Sequence, residues 1–227
     1  MSFLVFLLCK FYQMSQSEIF FKWLQENLSD SLTGLDSQRE LAPKFKGKDF
    51  RSFTPSSNYR NSAVMLICTE SKGKTNIVFT LRSSKLNSHQ SQISFPGGMN
   101  EEGESLLETA IRETQEEIGI KVSKESIAGA LTSLYVPPSN TIIQPFIAFF
   151  DDLKGLTPNP DEVEEILFKD IDYFLDKNNL KSSYWDFSGL KILVPHWNIH
   201  DKTPLWGATS MILNEFLHIY KKYLKLE

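Results

Sequence analysis

Three glutamates of one short stretch, Glu113, Glu116 and Glu117, have a spacing that could hold a metal ion. Helical residues advance by ~100° each, so in a helix over residues 104–118 these carboxylates share an arc of roughly 100°. They lie beside a stripe expected to be buried, Leu107, Ile111, Thr114 and Ile118. Like charges at helical spacing destabilise a helix, and a surface helix gains nothing from them. A hard divalent cation with oxygen ligands turns the same repulsion into binding. Arg112 adjoins the group, and Glu108, four residues earlier, is placed to hold its side chain. Gly97 and Gly98 let the backbone come close to a metal or a phosphate. Glu101, Glu102 and Glu104 suit the positive start of a helix. Taken alone, the three glutamates fit an ordinary solvated helix equally well.

The wider spacing argues against that plain reading. Gly98 is followed after five residues by Glu104 and after seven more by Arg112-Glu113, and then come Glu116-Glu117, Gly119 and Ile120. This pattern resembles the Nudix box, and the chain resembles the Nudix hydrolase family. Thr114 stands where an aliphatic residue is usual, with a methyl that still packs. The resemblance implies a Nudix fold, α/β with a mixed sheet sandwiched between helices. It implies hydrolysis of a nucleoside diphosphate linked to another group, with Mg²⁺ or Mn²⁺ as cofactor. By the same resemblance, Glu113, Glu116 and Glu117 bind the metal together with the Gly97 carbonyl, while Arg112 and Glu104 hold the loop–helix–loop in shape. One carboxylate must orient or deprotonate the attacking water. Which one does so differs among Nudix enzymes, and a residue outside the box can take the role.

Flanking residues resemble the coenzyme A diphosphatase subgroup: Leu81-Arg82-Ser83, Leu86, His89 and Gln92 to Gly98 before the box, then Leu134 to Asn140, Asp161-Glu162-Val163 and Trp206 to Thr209 after it. The likeness covers about residues 60 to 220 and implies cleavage of coenzyme A or its thioesters to 3′,5′-ADP and a 4′-phosphopantetheine product. Two positions depart from the subgroup, Asn87 where it has Arg and Ser91 where it has Gly. Asn87 removes a cation that could meet a phosphate, so Arg82 and Lys85 are expected to take the contact with the 3′-phosphate. Ser83, His89 and Tyr135 complete the expected substrate site, and Glu162 is the candidate for an additional carboxylate reaching the metals. Rival readings are another Nudix substrate, such as ADP-ribose, a dinucleotide or a nucleoside triphosphate, and a non-catalytic nucleotide-sensing module. Three crowded carboxylates argue against the sensor.

Other candidates have plainer explanations. His196 and His200 lack the two further ligands of a zinc site. Phe146 and Phe149 could stack on adenine but are of a type usually found in cores. Cys68 lies in an apolar run and reads as buried and inert. The basic segment holding Lys44, Lys46, Lys48 and Arg51 is either a solvated surface or a source of phosphate contacts.

These groups need elements to place them. Ser15 and Glu18 form a capping-box pattern that opens a helix over about residues 15–30, with Ile19, Phe20, Trp23 and Leu24 on one side. Residues 31 to 60, broken by Pro43, Gly47 and Pro55, read as a linker or wrapped arm. Strands are expected at Ala63–Cys68 and Asn76–Leu81 around a hairpin turn, then at Ser126–Tyr135 and Ile142–Phe150, with loop over 83–103. Glu104–Ile118 reads as a helix stopped by Gly119, and residues 207–225 as the last helix. The expected division is an N-terminal extension over 1–54 and a Nudix domain over 55–227. A length of 227 residues and 41% apolar composition support a real core. A net charge of −4 excludes a generally basic nucleic-acid binder. Cys9 and Cys68 cannot form a disulfide framework. Phe3–Cys9 is too short to span a membrane and has no signal-peptide flanks, so Met14 is an alternative start. The expected setting is cytoplasmic, with a small nucleotide as partner, no nucleic acid, no membrane, and a homodimer left open.

Overall fold

The computed structural model describes residues 15–55, 57–85 and 90–226. The Phe3–Cys9 run, the alternative start at Met14, Leu86, Asn87 and His89 lie outside the described residues.

The first helix, Gln16–Ser31 (α1), opens with the anticipated capping box. The Glu18 amide donates to the Ser15 hydroxyl at 3.1 Å, and the Ser15 amide donates to the Glu18 carboxylate at 2.7 Å. The supposed linker is partly folded. It contains Gly34–Glu40 (α2) and a small hairpin of Lys44–Phe45 (β1) and Lys48–Asp49 (β2). Leu41 and Ala42 in its middle are buried, which gives this polar segment an apolar anchor.

Arg60–Ser71 (β3) and Lys74–Arg82 (β4) form the expected hairpin. Its turn residues Lys72 and Gly73 have φ of 53° and 74°, the sign that a two-residue hairpin turn needs. Residues 83–103, expected as loop, also supply Ile93–Ser94 (β5) and Gly97–Met99 (β6). The helix of the glutamates is Leu106–Ile118 (α3). It starts two residues after Glu104 because Ser105 is its N-cap, with Glu108 closing a second capping box. Gly119, at φ 77°, ends it.

The stretch Ser126–Tyr135 makes two strands, Ile127–Ala130 (β7) and Leu134–Val136 (β8). The break falls where the Leu131 amide turns to the Pro145 carbonyl and Thr132 turns to Glu215. Then follow Thr141–Phe150 (β9), Val163–Asp170 (β10), Ile171–Leu175 (α4), Leu180–Phe187 (β11), Leu190–Trp197 (β12), Leu205–Trp206 (β13) and Gly207–Leu224 (α5).

The main sheet runs β10-β4-β3-β9-β7, with β5 beside β4, β6 beside β3 and β8 beside β9. It is mixed, because β3 and β9 are parallel while their other partners are antiparallel. Successive strand side chains alternate between faces. Ala63, Met65, Ile67 and Val78 accordingly meet Ala110 and Ile118 of α3 on one face. Leu66, Cys68, Ile77, Phe79 and Leu81 join Phe20 and Leu24 of α1 and Phe216 and Leu217 of α5 on the other. A second sheet runs β11-β12-β1-β2 with β13 beside β12, built around the hairpin of β11 and β12. Among the described residues no helix is long and apolar enough to cross a membrane.

Candidate active site

The packing of α3 decides which glutamates come together. Its buried side chains are Thr109, Ala110, Thr114, Glu117 and Ile118, while Leu107 and Ile111 are only half-buried. The expected stripe is therefore rotated towards Glu117, since small Ala110 lets the helix sit close on β3. Thr114 fits this face because its hydroxyl donates to the Ala110 carbonyl at 2.7 Å and leaves the methyl to pack. Glu117 is 1% exposed.

Oxygens of Glu113, Glu117 and Glu162 lie within 4.8 Å of one another. The last turn of a helix leaves carbonyls without intrahelical partners. Here the Asn159 amide donates to the Glu117 carbonyl at 2.9 Å and the Thr157 amide to the Ile118 carbonyl at 3.0 Å. That docking carries Glu162 to the end of α3. The Asn159 side chain donates to Glu162 Oε1 at 3.3 Å, and the Ser83 amide donates to the Glu162 carbonyl at 2.8 Å.

Glu116 stands apart from this group, with its side chain 53% exposed and Arg112 at 3.0 Å. Arg112 holds the loop before the helix. It donates to both oxygens of Glu104, at 2.8 and 3.1 Å, to the Met99 carbonyl at 3.2 Å and to Glu113 at 2.8 Å. Glu108, proposed from spacing as the partner of Arg112, is instead engaged by Ser105 in the cap. Glu104 receives bonds from Arg112, the Glu101 amide and Thr109, and its pKa is pulled down to about 2, chiefly by Arg112.

Burial acts in the opposite direction on the central carboxylates. It pushes Glu117 up to about 8, against the neighbouring Arg82 charge and the Gly97 amide, with Glu113 and Glu162 adding repulsion. Glu113 is raised for the same first reason. Three carboxylates crowded this closely, with Glu113 and Glu117 resisting ionisation, fit a hard divalent cation, whose charge removes that resistance. The backbone also fits this crowding. A Cβ on Gly98 would collide with the Glu113 carboxylate, and one on Gly97, at φ 154°, with the Ala63 carbonyl. Gly97 presents its amide to Glu117 at 3.2 Å.

Arg82, Gly97, Gly98 and Met99 line a cavity of about 620 Å³, in the range of small-ligand sites. Its other walls include Phe50, Phe53, Tyr135, Phe187, Trp206 and Met211. The fold brings Arg82 and Tyr135 of the expected substrate residues to this cavity. Arg82 Nη1 lies 3.4 Å from Glu117, so this guanidinium faces the carboxylates. Tyr135 donates through its hydroxyl to Asn140 at 2.9 Å. Ser83 is buried and is not among the residues that line the cavity, and Lys85 is exposed 3.5 Å from Asp161. Sequence reasoning missed Asn159, whose only local sign is the turn-forming Asn159-Pro160-Asp161, and Phe50, Phe53 and Phe187 of the aromatic wall.

The remaining candidates fall into place structurally. Phe149 and Cys68 are core residues, and burial pushes the Cys68 thiol well up. His196 is buried beside the Val194 carbonyl at 3.0 Å, and His200 lies 3.4 Å from Glu165.

The profile of the NUDIX domain matches residues 59–185. The chain is 29% identical to Nudix hydrolase 3 of Caenorhabditis elegans over 220 residues, covering 81% of this chain and 92% of that one. It is 33% identical to the mitochondrial coenzyme A diphosphatase NUDT8 of Mus musculus over 156 residues, 66% of this chain and 73% of that one. Among solved structures, a MutT/nudix family protein from Enterococcus faecalis superposes with a TM-score of 0.53 at 17% identity, covering 77% of this chain and 66% of that one, a likeness of fold.

Proposed function

This chain belongs to the Nudix hydrolase family, and on that premise we propose that it hydrolyses the diphosphate of coenzyme A or an acyl-coenzyme A to 3′,5′-ADP and (acyl-)4′-phosphopantetheine. Family membership makes it a hydrolase of diphosphate bonds. One observation carries the reading further: three carboxylates, Glu117 fully buried among them, converge beside Gly97-Gly98, which line a cavity with aromatic walls, large enough for a nucleotide.

Glu113, Glu117 and Glu162 would hold Mg²⁺ or Mn²⁺, which when bound neutralises a diphosphate and lowers the pKa of water. Arg82 faces Glu117 and meets the diphosphate from the cavity side. Arg112 restrains Glu113 and Glu116 together, leaving Glu116 towards solvent. The aromatic walls exclude water around the rest of the substrate. Support for the coenzyme A moiety comes from the mouse relative's name and from the Ser94 to Gly98 segment that enters the cavity.

A turnover screen with Mg²⁺ or Mn²⁺ tests this. Coenzyme A should yield 3′,5′-ADP, identified by mass. Cleavage of ADP-ribose or nucleoside triphosphates alone would replace the proposed substrate.

A further inference from the structure

Two cations of the cavity have no part in the carboxylate site. Arg51 extends from the N-terminal arm and Arg60 begins β3, and both line the same cavity as Gly97 and Arg82. Among the described residues no carboxylate pairs with either guanidinium. Arg51 lies over the Phe50 ring at 5.0 Å, and Arg60 spends one N–H on the Ser139 carbonyl at 3.1 Å. The remaining N–H groups stay available for an anion.

Their place in the cavity identifies which anion. Gly97 pairs with Val64 of β3, and Arg60 is four residues earlier on that strand. At about 3.3 Å per residue the Arg60 backbone lies roughly 13 Å along β3 from the residue paired with Gly97. That separation suits a group carried by the far side of a nucleotide, not the scissile diphosphate. The two residues expected from sequence to read such a group are otherwise disposed: Arg82 faces Glu117, and Lys85 is exposed beside Asp161. Guanidinium groups bind phosphate through paired N–H donors, and aromatic faces beside them suit a base.

We propose that Arg51 and Arg60 form a second anion subsite, which binds a phosphate on the ribose of an adenine nucleotide. The arm before the matched domain thereby becomes a specificity element. This rests on the coenzyme A reading, whose 3′-phosphate would be the group bound.

The test is titration of the full chain with 3′,5′-ADP and 5′-AMP. The wild type should bind 3′,5′-ADP about tenfold or more tightly than AMP, the worth of one charge-assisted contact. Arg51→Ala should lose most of this ratio, and adding Arg60→Ala should remove the rest. Arg51 is exposed and makes no bond to another element, so its variant should keep the wild-type melting temperature. Lys48→Ala removes an equal charge from the arm outside the cavity and should keep the ratio. Equal affinities in the wild type, a ratio unchanged in Arg51→Ala with Arg60→Ala, or equal loss in Lys48→Ala would overturn the subsite. Failure to cleave coenzyme A would instead overturn the substrate reading, because the affinity ratio is measured without turnover.

Discussion

Glu117 is a carboxylate kept out of water next to two others, and its ionisation is the feature most exposed to experiment. Its folded pKa of about 8 lies above the ordinary 4.5, so the folded metal-free protein binds more protons than the unfolded chain between these values. Stability should therefore fall as pH rises through that window. Thermal melts of the metal-free protein should show this decline, and Glu117→Gln should flatten most of it. The same variant should lose about 10²–10³ in turnover at saturating metal, the usual loss when one electrostatic stabiliser is removed. Ser91 offers a simpler case. Its φ of 53° is costly for any residue with a Cβ. Ser91→Gly relieves about 1–2 kcal/mol of that strain against about 0.4–1 kcal/mol of added unfolded-state entropy. Urea unfolding should show a gain of up to about 1.6 kcal/mol; a loss would mean that the Ser91 side chain has a role of its own.

At the scale of elements, β6 and α3 are held closer than side chains would allow. The Glu113 carboxylate occupies the space where a Cβ on Gly98 would stand. Gly98→Ala should push that carboxylate away from Glu117 and Glu162 while leaving the buried face of α3 intact. Mg²⁺ affinity, measured by calorimetry, should fall by about 10–100-fold, as when the surroundings of a metal ligand are disturbed. Unchanged affinity would show that Glu113 is dispensable to the ion.

Across the whole molecule, Glu215 ties distant parts of the chain together. It is fully buried, with no cation beside it among the described residues. Its carboxylate accepts from the Gly34 amide at 3.0 Å, Gln38 at 2.8 Å, the Thr132 amide at 3.2 Å and the Thr132 hydroxyl at 2.6 Å. One side chain of α5 thus joins α2 to the break between β7 and β8. Glu215→Ala strands these donors away from water, and each buried unsatisfied group costs about 1–3 kcal/mol. The denaturation midpoint in urea should drop by the equivalent of about 3 kcal/mol or more, with the slope unchanged.

The sequence by itself determined what depends on neighbours along the chain. The capping box at Ser15, the Lys72-Gly73 turn and the stop at Gly119 are short-range chemistry, legible before any fold. The family pattern from Gly98 to Ile120 was legible for the same reason, since a loop and one helix carry it. Contacts between distant segments leave little local trace, and only the tertiary structure decided them. Glu162 comes beside Glu113 and Glu117 only because the loop at Asn159 docks on the carbonyls ending α3. Glu116 and Glu117 are adjacent in sequence, yet packing buries one and leaves the other in solvent. The arm read as a linker because it is polar and broken by Pro43, Gly47 and Pro55. Leu41, Ala42 and Phe53 become wall and core only where β12 and α5 meet them, and no local periodicity encodes that meeting.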